Sequence, residues 1–152
     1  MSRVETVLRY WVPVVGWALL IFAGSTGLGA SQHSSRLIAP LVRWVCPAIS
    51  EDALNRVVYS VRKTAHVTEY ALLALLVWRA LRKPTKRDAR PWSWTQAGLA
   101  LAGASVYAMT DELHQALVPS RQGQWADVLL DASGSALALL LLWLVIRWRR
   151  RG

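Results

Sequence analysis

Four apolar stretches, separated by polar segments, run along this chain of 152 residues: 11–23, 65–81, 97–110 and 128–146. Crossing the hydrocarbon of a bilayer takes about 20 residues, so only the fourth stretch is long enough outright, and the others need polar residues at one end. The pattern predicts an all-α fold, an integral membrane bundle of four transmembrane helices. It forms a single domain over residues 1–152, with spans at about 7–26, 64–82, 95–113 and 126–147.

The long segment between the first two spans has helical signals of its own. Ser50 followed by two acidic residues is typical of a helix start, and no Pro or Gly follows before Leu81. One helix from Glu51 to Leu81 would measure about 46 Å, which exceeds the hydrocarbon thickness. Residues 34–46 are apolar on one face and predict an external interfacial helix, although Pro40 weakens the pattern.

Basic residues are distributed unevenly about the predicted spans. The amino end, the 79–91 loop and the carboxyl tail hold twelve Lys or Arg against two acidic residues, a net charge of +10, and the rest of the chain carries −1. Because basic residues concentrate on the cytoplasmic side of a membrane, both termini of this multi-pass protein should be cytoplasmic. The alternative for the first stretch is a cleaved signal peptide, which would leave an odd number of spans.

Composition agrees with a membrane protein and excludes several other classes. Hydrophobic residues make up 54% and charged residues 18%, which argues against a disordered chain or an ordinary soluble domain. The net charge of +9 is explained by membrane topology, so we expect no nucleic-acid partner. The single Cys46 excludes an internal disulfide. Six tryptophans are predicted to be interfacial anchors: Trp44, Trp78, Trp92, Trp94, Trp125 and Trp148.

Polar residues collect at the predicted outer end of the bundle. His66, Glu69 and Tyr70 share a helix face at spacings of three and four residues, and Asp111, His114 and Gln115 repeat that spacing. Asp127 and Asp131 lie one turn apart on the last span, near Arg121 and Lys63, and Ser25 and Thr26 reach the same level. Each residue alone could be structural, with Arg121 pairing Asp127 for example. The whole set indicates a pocket, because ionisable groups at membrane depth are costly.

These residues resemble the VanZ-like family of small bacterial membrane proteins. The matching stretches are RKTAHVTEY at 62–70, TDELHQ at 110–115, VPSRQG at 118–123 and DVLLDASG at 127–134. Ser120 departs from the Gly expected before the arginine. The resemblance implies a polytopic membrane protein of a family associated with teicoplanin-type lipoglycopeptide resistance, with no established enzymatic activity. It implies ligand-binding roles for Lys63, His66, Glu69, Tyr70, Asp111, Glu112, Gln115, Arg121, Asp127 and Asp131.

Three hypotheses about function follow. The first is an outer-leaflet pocket that binds a cell-envelope ligand, either a lipid-linked precursor, a lipoglycopeptide or another lipid-like amphiphile, among the membrane lipids that surround the protein. The second is an intramembrane hydrolase or transferase acting on a lipid-linked phosphate, with His66, Glu69, Asp111 and Glu112 as candidate catalytic residues. The third, ion or solute transport, ranks last because the cytoplasmic halves of the spans lack polar groups. No cofactor is expected. A metal held by His66 with Glu69, or by Asp111 with His114, is only weakly indicated because the HExxH spacing is absent, and metal binding and the oligomeric state are left open.

Overall fold

The protein is described by a computed structural model that covers residues 3–25, 31–85, 88–117 and 124–151. Within these ranges the chain forms α-helices and no strands, which confirms the all-α prediction. In chain order the helices are α1 (Arg3–Ser25), α2 (Ser31–Val45), α3 (Glu51–Arg82), α4 (Trp94–Ala116) and α5 (Trp125–Arg149).

The segment before the second predicted span folds as the sequence predicts. The helix predicted at 34–46 is α2, which includes Pro40, although its interfacial position remains a prediction. The long helix is α3, which continues from Glu51 to Arg82 without a break. The side chain of Ser50 caps the start of α3 by accepting a hydrogen bond from the Ala53 amide at 3.4 Å. The helix ends at Lys83, whose backbone is left-handed, with φ 48°.

Helix α3 is the centre of the bundle and contacts each of the other four helices in the described ranges. Helices α4 and α5 also contact each other, α1 packs on α3 and α4, and α2 contacts α3 alone. Small side chains permit this close packing, because the buried face of α4 consists of Ala97, Ala100, Ala104 and Ala108 at helical spacing. The core therefore lies between α3, α4 and α5, and α1 adds Tyr10, Val14 and Ile21 to it.

The outer surface of the bundle is apolar. Among the described residues two helices are long and apolar enough to span a membrane, Val4–Ser25 with a mean hydropathy of 1.6 and Trp125–Arg149 with 2.1. Only 17% and 22% of their most apolar windows are buried, unlike the core helix of a soluble protein. Exposed side chains such as Leu20 (63%) and Leu129 (72%) would be unfavourable in water. These helices indicate a membrane protein, whereas the four-span arrangement remains a prediction.

A proline in helix α1 leaves one backbone carbonyl without its usual helical partner, and a side chain of α3 binds that carbonyl. Pro13 has no N–H to donate to the carbonyl of Arg9, four residues earlier. The guanidinium of Arg79 on α3 donates to that carbonyl at 3.5 Å and lies 4.9 Å from the centre of the Tyr10 ring. The Tyr10 hydroxyl in turn donates to the carbonyl of Pro84 at 2.9 Å. These contacts attach the start of α1 to the end of α3.

The six tryptophans predicted to be interfacial anchors differ in their exposure. Trp44, Trp125 and Trp148 are each more than three-quarters exposed, as membrane-surface anchors would be. Trp78 is only 7% exposed and stacks on Trp92, with 5.3 Å between the ring centres. Trp78 lies near the end of α3, but its ring is covered by neighbouring elements and is not exposed as an interfacial anchor would be.

Candidate ligand site at the carboxylate end

The buried face of α4 changes from apolar to polar within one turn. The alanine series that ends at Ala108 continues at the same spacing with Asp111 and Gln115, and Glu112 adjoins them. All three polar side chains are buried, with exposed fractions of 4–6%. One face of α4 thus supplies both the helix packing and the site.

Helix α5 contributes a second set of polar residues from its first turns. Asp127 lies in the first turn, where the helix dipole favours a negative charge, and Asp131 lies one turn further and is 2% exposed. The hydroxyl of Ser135 donates to the carbonyl of Tyr70 at 3.0 Å across the α3–α5 contact. This bond fixes the position of Asp131 relative to α3.

These residues converge with a lysine from α3. Lys63 forms an ion pair with Asp127, and both side chains are about one-fifth exposed. Asp131 is close enough to Glu112, Asp127, Asp111 and Lys63 to interact electrostatically with all four. We refer to Asp111, Glu112, Asp127 and Asp131, together with Lys63, as the carboxylate cluster. Four carboxyl groups share one ammonium group, so the cluster has an excess of hydrogen-bond acceptors.

Hydrogen bonds satisfy only part of the carboxylate cluster. Gln115 donates its amide to Asp111 Oδ2 at 2.9 Å, and the Gln124 backbone amide donates to Glu112 Oε2 at 2.9 Å. Asp111 Oδ1 and Asp131 Oδ1 are buried and have no hydrogen-bond partner among the described residues. Buried polar atoms are nearly always paired, so these two oxygens are candidate acceptors for a ligand.

The hydroxyl of Tyr70 belongs to the same region. Tyr70 is 1% exposed, and its hydroxyl lies beside the Asp111 carboxyl group. Within the described ranges no residue pairs with this hydroxyl at ordinary hydrogen-bond geometry. The Tyr70 ring also packs against Tyr107, with 6.3 Å between the ring centres. A buried donor therefore lies beside the Asp111 carboxyl group and within electrostatic range of Asp131.

A pocket of about 180 Å³ opens beside the cluster, between the end of α4 and the start of α5. Its polar walls are Glu112 and Gln124, and its remaining walls are mainly apolar, formed by Met109, Leu113 and Trp125. One carboxylate of the cluster thus faces a space with aliphatic and aromatic walls. Such a combination suits an amphiphilic ligand.

The other described residues that the sequence predicted for the site are not members of the carboxylate cluster. His66 and Glu69 are half-buried, and the Glu69 carbonyl accepts a hydrogen bond from the Trp17 indole at 2.9 Å, where α1 meets α3. His114 packs its ring against Phe22, 5.0 Å between centres. Ser25 is buried at the end of α1.

Two of the sequence predictions lie outside the described residues: Arg121 and Thr26. The ion pair proposed between Arg121 and Asp127 therefore has no structural counterpart to compare, and Lys63 pairs with Asp127. In the described part of the chain, no group of three or more His, Cys, Asp or Glu side chains is arranged to hold a metal ion.

Sequence reasoning missed two contributors to the site. Gln124 binds Glu112 through its backbone amide, which residue type does not reveal, although a position just before a helix could have suggested a free N–H. Trp125 was assigned as a membrane anchor and also lines the pocket. No sequence signal distinguishes these two roles.

Comparison with known proteins agrees with the motifs. No curated protein and no solved structure matches the chain significantly. The family described as VanZ/LLP1 matches residues 10–147, which include every residue of the carboxylate cluster. The match covers more than half of the chain, and the chain therefore belongs to the VanZ/LLP1 family.

Proposed function

We propose that this protein binds an amphiphile of the cell envelope, lipid-linked or lipid-like, in the pocket beside the carboxylate cluster. The observation that carries the proposal is the pair of buried carboxyl oxygens, Asp111 Oδ1 and Asp131 Oδ1, that lack partners among the described residues. Maintaining such groups at membrane depth is costly, which favours a role in binding over a role in packing. The general association of the family with teicoplanin resistance agrees with an envelope ligand.

The chemistry of the cluster restricts the kind of ligand. Its carboxylates outnumber its single ammonium group, and Lys63 is already paired with Asp127. A ligand that offers hydroxyl or amine donors, such as a sugar, would suit the Glu112 carboxylate in the pocket wall and the unpaired oxygens of Asp111 and Asp131 in the same cluster, whereas a bare phosphate would be repelled. The apolar walls formed by Leu113 and Trp125 would hold its hydrophobic part. The proposal is one of binding and does not include hydrolysis or group transfer.

The proposal includes a topology of four spans with both termini in the cytoplasm of a bacterial inner-membrane protein. This topology follows from the positive-inside bias and would open the pocket at the outer leaflet. The single cysteine, Cys46, is exposed just after α2 and provides a direct test. A membrane-impermeant maleimide should label Cys46 in intact spheroplasts.

A matched control variant, with its cysteine on the other side of the membrane, should show the opposite labelling pattern. Thr85 is exposed in the loop after α3, so a Cys46→Ser/Thr85→Cys variant should be labelled only after the membrane is permeabilised. The proposed orientation would be contradicted if, in intact spheroplasts, the maleimide labelled the Thr85→Cys variant and did not label Cys46 of the wild type.

Ligand binding can be tested on the full chain released gently from its own membranes. Native mass spectrometry of the wild type should show a retained amphiphile, identified by its mass and fragmentation. Asp111→Asn and Asp131→Asn keep the side-chain shape but remove a charged acceptor, so each should lose most of the adduct. Asp52→Asn, an exposed carboxylate at the start of α3, is the matched control and should retain it. Equal adducts in all four proteins, or none in the wild type, would refute the proposal.

A further inference from the structure

A second pocket, of about 610 Å³, lies at the opposite end of the bundle. It is formed by the end of α3, the loop that follows and the end of α5, and we refer to it as the basic pocket. Its aromatic and aliphatic wall includes Trp78, Trp92 and Ile146. Its cations are Arg82, Arg149 and Arg150. The sequence explains an excess of basic residues at this end, but it gives no reason for a pocket.

The loop that borders the basic pocket is held in place by a buried arginine. Arg82 is 6% exposed and donates to the Asp88 carboxylate at 2.9 Å and to the Pro91 carbonyl at 2.7 Å. Arg90 also binds Asp88 at 2.9 Å and donates to the Arg82 carbonyl at 2.8 Å. Hydrogen bonds from Arg90 and Arg82 hold the pKa of Asp88 well below its usual range. Membrane topology needs positive charge alone and does not need this network.

The charges that line the basic pocket do not balance. Asp88 is the one carboxylate among the described lining residues, and it is already paired with Arg82 and Arg90. Neither Arg149 nor Arg150 has a carboxylate partner in the part of the chain that the structure describes, and Arg150 donates to the Arg90 carbonyl. The guanidinium groups of Arg149 and Arg150, at the end of α5, thus have donors available for an anion. Guanidinium groups bind phosphate oxygens well, because their donors match the geometry of the anion.

The wall of the basic pocket contains two further donors. Trp78 and Trp92 stack with an interplanar angle of 19°, and both rings line the pocket. The indole N–H of each ring is buried and has no acceptor among the described residues, although buried polar groups are nearly always paired. An indole nitrogen can only donate, so a group rich in acceptors is the natural complement.

We propose that the basic pocket binds the phosphate headgroup of an anionic membrane lipid. The phosphate binds Arg149 and Arg150, and the start of the acyl chains lies against Ile146 and Trp92. The position favours a lipid over a soluble phosphate compound. The pocket is at the carboxyl end of α5, which is apolar enough to span a membrane, so it lies where hydrocarbon meets water. Basic pockets between helices at the cytoplasmic surface are suited to anionic lipid headgroups.

The test is a titration of the full chain in detergent with dihexanoyl phosphatidylglycerol, followed by native mass spectrometry. Arg149→Gln/Arg150→Gln should weaken binding at least about tenfold, because charge-assisted hydrogen bonds to the phosphate are lost. Arg147→Gln/Arg151→Gln is the matched control: it removes the same charge from the same tail, and neither residue lines the pocket. Its affinity should stay within about twofold of the wild type.

Three results would overturn the proposal. Equal weakening by both double variants would mean that the tail attracts anions without a site. Equal binding of dihexanoyl phosphatidylcholine would mean that the anionic headgroup is not recognised. Displacement of the lipid by inorganic phosphate at a similar concentration would identify a soluble phosphate as the ligand. Arg149→Gln alone, whose side chain makes no hydrogen bond within the described residues, provides the same test if the double variant does not fold. The carboxylate-end variants should not affect this binding, so the two proposals can fail independently.

Discussion

Gly134 lies at the closest approach of α3 and α5, and its substitution by alanine tests the packing that assembles the carboxylate cluster. A Cβ atom at this position would lie 2.5 Å from Val67 Cγ1 and 3.0 Å from the Val67 carbonyl oxygen. Because backbone is involved, rotation of the valine side chain cannot relieve the overlap, and α5 must move away from α3. The Ser135–Tyr70 hydrogen bond of 3.0 Å crosses the same contact and would stretch.

The expected magnitude combines two opposing effects. Overpacking in a well-packed core costs about 1–3 kcal/mol, whereas alanine in place of glycine stabilises a helix interior by about 1 kcal/mol. Gly98→Ala on α4 is the matched control, because a Cβ atom there has no neighbour within 4 Å and only the stabilising effect remains. The difference between the two variants should therefore be about 1–3 kcal/mol, with Gly134→Ala the less stable.

The assay is thermal unfolding in detergent, followed by far-ultraviolet circular dichroism at one fixed scan rate. For a chain of this size each 1 kcal/mol shifts Tm by about 2–4 °C, so Gly134→Ala should melt several degrees below Gly98→Ala. If Gly134→Ala melts at or above Gly98→Ala, the tight α3–α5 contact does not exist as described, and the position of Asp131 relative to α3 must be reconsidered.

Three further predictions concern the charged networks. Lys63→Gln should lower stability by about 2 kcal/mol by leaving the Asp127 carboxylate without its partner, and adding Asp127→Asn should restore most of the loss in a double-mutant cycle of thermal unfolding. Asp131→Asn should raise Tm, because it removes one of several repelling carboxylates, while abolishing the amphiphile adduct in native mass spectrometry. Asp88 should stabilise the fold in a pH-dependent manner: because its pKa is lowered by Arg90 and Arg82, its contribution is complete above the ordinary carboxyl value of 3.8 and is lost as the pH falls towards the lower folded value. Unfolding of the wild type and of Asp88→Asn, measured from pH 6 to pH 2, should therefore converge at the acidic end.

Each of these predictions has a control and a contrary outcome. Independent losses for Lys63→Gln and Asp127→Asn, with no rescue in the double variant, would show that the ion pair does not form. A fall in Tm for Asp131→Asn would show that the carboxylate is structural. For the Asp88 prediction the control is Asp52→Asn, an exposed residue at the start of α3, which should lose stability between pH 6 and pH 2 as the wild type does. If the difference in stability between the wild type and Asp88→Asn stayed the same at every pH, the loss of stability in acid could not be assigned to Asp88.

Local patterns were sufficient to predict most of the helices. Ser50 with its acidic neighbours marks the start of α3, and the absence of Pro and Gly up to Leu81 predicts its length, because these features act within one turn of the backbone. Several candidate residues could also be picked out: Asp111 and Gln115 follow an apolar stretch at helical spacing, Asp131 lies inside another, and the structure buries all three. The family followed from the same motifs.

Only the tertiary structure decided which of these residues meet. Lys63 is the observed partner of Asp127, and Glu112 faces a pocket while Glu69 lies where α1 meets α3. Such pairings depend on the rotation and separation of whole helices, which a single small residue such as Gly134 can set and which no local pattern encodes.

At the basic end of the protein, too, the sequence determined some features and the tertiary structure determined others. The sequence determined that positive charge gathers there, because that bias follows from counting residues in loops. It did not determine that Arg82 would be buried against Asp88 and Pro91, or that Trp78 would be covered and Arg150 left facing a pocket. Charge is a property of the residue, whereas burial and pairing belong to the packed assembly, since they depend on which distant segments exclude water from each side chain.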